Sequence, residues 1–217
     1  MAPRPLGWPT VLTEDATLDE LVRGRSLGRF GDGELKCAAG EGYRSQPPNP
    51  KLAAELRRIL REPDPRCLPA IPTMDPRVTN APFWDKHAQR FLSFLNRELI
   101  YGSAFIGRTD IAPWIDDSAY ARKFRSIWAG KRVVLVAPFE TGKARRIVPD
   151  APQIACPPIN AYDKVDWLET AVLALAPAVA LLSAGPTATV LAHRLAVRGV
   201  QALDVGRSGR LLVRYPA

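Results

Sequence analysis

Residues 179–205 constrain the fold more than any other stretch of the chain. An apolar run over 179–183 reads as a buried strand, and Ala184-Gly185-Pro186-Thr187-Ala188-Thr189 turns it into a helix. That helix reaches about Arg198, Gly199 stops it, and a last buried strand follows over 202–205. Two buried strands joined by one helix call for a crossover, and hence for parallel pairing. The pattern repeats upstream. Residues 133–137 read as a buried strand, 154–157 as a short one, and 99–106 as a strand ending at Gly107-Arg108. Helical patterns fall at 13–22, 34–39, 51–61, 80–96, 117–128 and 163–176. Strands alternating with helices predict an α/β fold, with a Rossmann-like, mostly parallel sheet covered by helices on both faces. The segment 67–72 reads as a strand end, because its two prolines argue against a central position. Residues 1–9 carry three prolines and predict little regular structure. With no internal repeat, the 217 residues predict one domain spanning 1–217.

The net charge of +8 favours anionic partners. The excess arginine is scattered in pairs such as Arg57-Arg58 and Arg145-Arg146, so no tract resembles a nucleic-acid arm, and no specific nucleic acid is expected. Three separated cysteines form no metal or disulfide pattern and fit a reducing, cytoplasmic setting. The first residues lack a leader pattern, and the apolar run 171–184 is broken by Pro177, so membrane contact, if any, is peripheral. Only two histidines are present, which disfavours zinc. Ser26 and Ser183 have no nearby histidine with a supporting acid, so a hydrolase triad is unsupported. Nucleotide-binding motifs of the Gly-x-Gly-x-x-Gly and Walker types are absent. His193 falls mid-helix and is expected on a partly exposed face, and the charged stretch 140–146 reads as a solvated loop.

The candidate chemistry sits where strands stop. In Ser26-Leu27-Gly28-Arg29-Phe30-Gly31-Asp32-Gly33-Glu34 a short strand ends abruptly at two glycines interleaved with two carboxylates. Gly31 and Gly33 permit a sharp turn or a close backbone approach to a ligand. In an extended or turning segment Asp32 and Glu34 face one side, where two oxygen donors suit a hard cation such as Mg²⁺ or Mn²⁺. Arg29 offers a fork for phosphate or carboxylate. The same residues also fit a plain surface turn. At the second junction, Gly185, Pro186 and Thr187 open a helix whose first amides suit an anion, or simply form a βα turn. Asp204 is placed to orient a ribose hydroxyl, meet an acceptor or cap the next loop. Arg108 and Arg207 are candidate phosphate contacts. The aromatic stripe Phe83, Trp84, Phe91 and Phe94 reads as core.

Taken in order, these stretches resemble the bacterial glycosyltransferases of the GT-D fold. The resemblance is carried by residues 26–34, by Ile127 to Val136, by Pro158-Ile159-Asn160-Ala161-Tyr162, by the Gly185-Pro186-Thr187 turn and by Gln201-Ala202-Leu203-Asp204-Val205-Gly206. It implies a metal-dependent transfer of a sugar from a nucleoside diphosphate sugar, such as a UDP-sugar. The acceptor is a hydroxyl on a glycan, protein or small molecule. In the family the Asp-x-Glu motif is associated with the divalent metal and the donor diphosphate, which maps onto Asp32 and Glu34. The family's histidine near the C-terminus is replaced here by Arg207, so its role does not carry over. Glu34 and Asp204 both stay open as the base that deprotonates the acceptor. A non-catalytic nucleotide- or glycan-binding protein using the same pocket is the competing reading.

Overall fold

A computed structural model describes residues 7–138, 146–206 and 209–215. Eight strands are seen among them: β1 (Thr10–Val11), β2 (Ser26–Arg29), β3 (Cys67–Ile71), β4 (Ile100–Ser103), β5 (Val133–Ala137), β6 (Gln153–Ala155), β7 (Val179–Leu182) and β8 (Gln201–Asp204). They form one sheet in the order β1-β4-β3-β2-β8-β7-β5-β6, and every ladder is parallel. The connecting helices are α1 (Glu14–Val22), α2 (Asp32–Ala38), α3 (Pro50–Arg61), α4 (Ala81–Phe91), α5 (Ser118–Ser126), α6 (Val165–Ala174), α7 (Pro186–Val197) and α8 (Gly209–Arg214).

The central strands show why the sheet is covered on both sides. Val134, Val136, Ala180, Leu182 and Ala202 pack into one core with Leu168 and Val172 of α6 and Leu191 and Leu195 of α7. Their alternating neighbours Leu135, Ala137, Val179, Leu181 and Leu203 pack into a second core with Leu18 and Leu21 of α1 and Phe124 of α5. A strand buried on both faces has no polar face to present, and for that reason 133–137 and 179–183 read as unbroken apolar runs. Helix starts follow capping chemistry. Thr13 Oγ1 accepts the Ala16 N–H at 3.2 Å, Asn49 Oδ1 accepts from Lys51 and Leu52 ahead of Pro50, and Asp117 Oδ1 accepts from Tyr120 at 2.6 Å.

Several expectations need correction. β3 is fully buried, Pro69 included, and lies between β2 and β4 with pairing to both. Ala70 O accepts from Phe30 while Ile71 O accepts from Ala104, so backbone groups alternate between the two neighbours. The Pro69 nitrogen therefore faces β4, where pairing begins only at Ala70 with Gly102, and the missing N–H breaks no bond. His193 is 3% exposed, not on a partly open face, and its Nε2 accepts the Asp64 N–H at 3.1 Å. Burial holds its imidazole below the usual pKa. The strand expected over 99–106 is only four residues long, and β1, two residues long, carries too little pattern to be read from sequence. No helix of the described residues is long and apolar enough to cross a membrane.

Candidate active site

β2 and β8 lie side by side in the middle of the sheet, and their carboxyl ends open into a cavity of about 460 Å³. Ligands of open parallel sheets bind at such ends. Of the sequence candidates, Arg29, Gly31, Asp32, Gly33, Glu34, Arg108, Gly185 and Asp204 all line this cavity. Pro186 and Thr187 are buried and lie outside its lining. The anion site expected at this junction is further reduced because Ala188 N–H donates to Gly185 O at 2.9 Å. Arg207 lies outside the described residues, as do 140–145 of the charged loop.

The Asp-x-Glu turn is built differently from the expectation. Asp32 opens α2 instead of lying in an extended segment, so the two acids occupy one helical turn. At i and i+2 on a helix they would point apart. Both still line the cavity, and Glu34 folds back over the helix start, its Oε2 accepting the Gly31 N–H at 2.9 Å. Gly31 has φ −84° and Gly33 has no positive φ, so neither glycine serves an unusual backbone angle. Gly33 instead makes room for the Tyr43 ring, which a Cβ would meet at 2.5 Å. Burial and the nearby Asp204 charge push the Glu34 carboxyl up to about 7. Burial likewise raises Asp204, against the pull of Arg29. The Tyr43 hydroxyl is raised by burial and by Asp32 beside it.

One threonine ties the strand ends together. Thr189 Oγ1 lies 2.7 Å from Arg29 O and 3.3 Å from Asp204 Oδ2. Arg29 Nη2 pairs with Asp204 Oδ1 at 3.3 Å, and both side chains are nearly buried. Gly206, at φ +38°, is required here because the Arg29 guanidinium fills the space its Cβ would take. Arg108 is engaged by Asp110 through two bonds of 2.8 and 2.9 Å, so it is neither a free phosphate ligand nor a solvated side chain.

Sequence reasoning missed much of the remaining lining. Tyr43, Arg44, Asn80, Phe83, Trp84, Phe105 and Ile111 also line the cavity. Only part of the aromatic stripe is core as expected: Trp84 and Phe91 are buried, while Phe83 is half-buried at the cavity. Arg44 carries φ +48° in a tight turn closed by Tyr43 and Gln46, a cue that sequence alone does not give. That turn is fastened to the far half of the chain, with Asn160 N–H donating to Ser45 O at 2.7 Å and Gln46 Nε2 to Asn160 Oδ1 at 2.9 Å.

The family model for the glycosyltransferase GT-D fold matches residues 27–210. The chain belongs to the GT-D fold glycosyltransferase family. Among solved GT-D structures, one described as a new glycosyltransferase from Streptococcus sanguinis superposes with a TM-score of 0.79 at 28% identity, over 93% of this chain and 82% of that one. A second, described as a conserved domain with a distinct glycosyltransferase fold, gives 0.82 at 27% identity, over 94% and 80%. A probable glycosyl transferase of Streptococcus gordonii is 34% identical over 91% of this chain, and a glycosyltransferase of Streptococcus pneumoniae is 34% identical over 95%. The chain spans about a third of the length of these two relatives, 32% and 28%.

Among the described residues no group of three or more His, Cys, Asp or Glu side chains is arranged to hold a metal unaided. A hard cation that keeps waters and substrate oxygens needs only one or two carboxylates. Asp32 and Glu34 meet that need. Burial raises both Glu34 and Asp204, with Arg29 on the same lining opposing the shift. Two carboxylates on one cavity lining are the kind of donors that Mg²⁺ or Mn²⁺ would take.

Proposed function

We propose that this chain is a divalent-cation-dependent glycosyltransferase that moves a sugar from a nucleoside diphosphate sugar to an acceptor hydroxyl. The observation that carries this reading is the convergence of Asp32, Glu34, Asp204 and Arg29 on one cavity at the strand ends of a GT-D fold. Asp32 and Glu34 would hold Mn²⁺ or Mg²⁺, and the bound cation supplies charge neutralisation to the departing diphosphate. Arg29 adds a fixed positive charge on the same floor, held in place by Asp204 and Thr189. With its carboxylate committed to Arg29 and Thr189, Asp204 is a positioning residue, not the base. Three buried, unpaired cysteines are consistent with work in the cytoplasm.

The test is a thermal shift with UDP, with and without Mn²⁺, followed by hydrolysis of a panel of nucleotide sugars. At a hundredfold excess over Kd, specific binding stabilises the fold by about 2.7 kcal/mol. The expected result is stabilisation that needs both UDP and Mn²⁺ and disappears in Asp32→Asn. Retention of the full Mn²⁺-dependent response in Asp32→Asn overturns the metal assignment. Binding without turnover of any nucleotide sugar overturns the enzyme reading in favour of a binding protein.

A further inference from the structure

The cavity has two unlike walls. Asn80 immediately precedes α4, Trp84 lies four residues on, and both belong to the cavity lining. Trp84 is 2% exposed, and its indole Nε1 has no hydrogen-bond partner. Asn80 Oδ1, also shielded from water, has none either. Folded proteins leave few buried polar groups unpaired, and two on the lining of one cavity wall call for a reason.

The two orphans are of opposite kind. The indole N–H only donates, and the carboxamide oxygen only accepts. An anion would suit the indole and repel the oxygen, and a cation would do the reverse. A hydroxyl accepts from the first and donates to the second. The neighbouring charge points the same way, because Arg108 on this wall is already neutralised by Asp110. Phe83, Phe105 and Ile111 supply apolar surface beside the pair. Phe83 and Phe91 flank the Trp84 ring edge-on, at 5.0 and 6.4 Å between ring centres. The chemistry that answers this wall is a neutral ring with hydroxyls on its rim and an apolar face.

We propose that Asn80, Trp84 and Phe83 form a saccharide subsite on the acceptor side of the cavity. One sugar hydroxyl bridges the Trp84 indole N–H and the Asn80 carboxamide oxygen, and the sugar's apolar face lies toward Phe83. Both orphaned atoms are closed to water in the free protein, so small turns of the two side chains seat the ring. That ring is the acceptor's only if the transfer reading above holds, whereas its binding is independent of that reading.

The experiment follows the Trp84 indole N–H resonance in ¹⁵N-labelled full chain, identified as the one missing from Trp84→Phe. Methyl glucoside, methyl galactoside, maltose and lactose are titrated without nucleotide. The expected result is a saturable shift of that resonance with at least one of them. Affinity, followed by calorimetry, then falls about tenfold or more in Trp84→Phe and in Asn80→Ala. Trp84→Phe removes the orphaned donor together with part of a buried ring, so its melting midpoint falls, and the saccharide affinity of the folded variant is the readout that a purely structural tryptophan would leave unmoved. The site is overturned if no sugar moves the Trp84 resonance, or if both variants bind as tightly as the parent. Should Trp84→Phe fail to fold, Asn80→Ala decides alone. A saccharide response in protein that ignores UDP and Mn²⁺ keeps this site and removes the transfer reading.

Discussion

Replacing Glu34 by glutamine isolates the electrostatic cost of the cavity floor. The carboxyl is raised from 4.5 to about 7. Below pH 4.5 it is protonated in folded and unfolded chains alike, and the shift costs nothing. Between pH 4.5 and about 7 the unfolded chain releases its proton while the folded chain keeps it, so stability falls as pH rises. Above about 7 the full cost is in place, roughly 3 kcal/mol at 1.36 kcal/mol per pH unit. Glu34 is only half-buried, and water on its open side trims this to about 2 kcal/mol. Glutamine keeps an oxygen for the Gly31 N–H and never ionises. Glu34→Gln should therefore melt about 4–8 °C above the parent at pH 8, with little difference at pH 4.5. Differential scanning calorimetry at both pH values, without metal, reads the effect. Adding Mn²⁺ and UDP at pH 8 should narrow or reverse the gap, because the parent gains a ligand and the variant loses one. A variant no more stable at pH 8, or equally stabilised at both pH values, refutes the reasoning.

Two further changes probe the frame around the floor. Arg29→Met leaves Asp204 buried with Thr189 as its remaining partner, and should cost about 3–5 kcal/mol in urea denaturation at pH 7.5. The loss should shrink as Asp204 protonates at low pH, and a loss below about 1 kcal/mol would show the pair to be unimportant. His193→Ala orphans the Asp64 N–H and should cost about 1–3 kcal/mol at pH 8. Because burial lowers the His193 pKa, the parent's advantage is present above pH 6.5 and declines as pH falls below it. An unchanged difference between pH 8 and pH 5 would contradict that assignment.

The sheet was legible where both faces of a strand are buried. Residues 133–137 and 179–183 announced themselves because no position along them needs water. β3 was misjudged because a proline's harm depends on which neighbour its nitrogen faces, and sequence does not record that. The acidic floor was found because carboxylates beside glycines at a strand end are a local pattern. The mutual orientation of Asp32 and Glu34 was not found, since it depends on Glu34 closing the start of α2. The far wall stayed hidden for a different reason. Phe83 and Trp84 carry the same signature as any amphipathic helix, and only tertiary packing turns one edge of that stripe toward a cavity.

The ladder between β3 and β4 holds only two registered pairs, whereas β2 and β3 share four. Residues 29–44 and 185–206 sit on one side of that ladder, where β2 meets β8 through a single registered pair, and residues 80–111 sit on the other. The Arg90–Glu41 ion pair and a shared core nonetheless tie the two banks together. A designer wishing to redirect this protein would therefore change single side chains along 80–111 and leave the backbone of that bank in place.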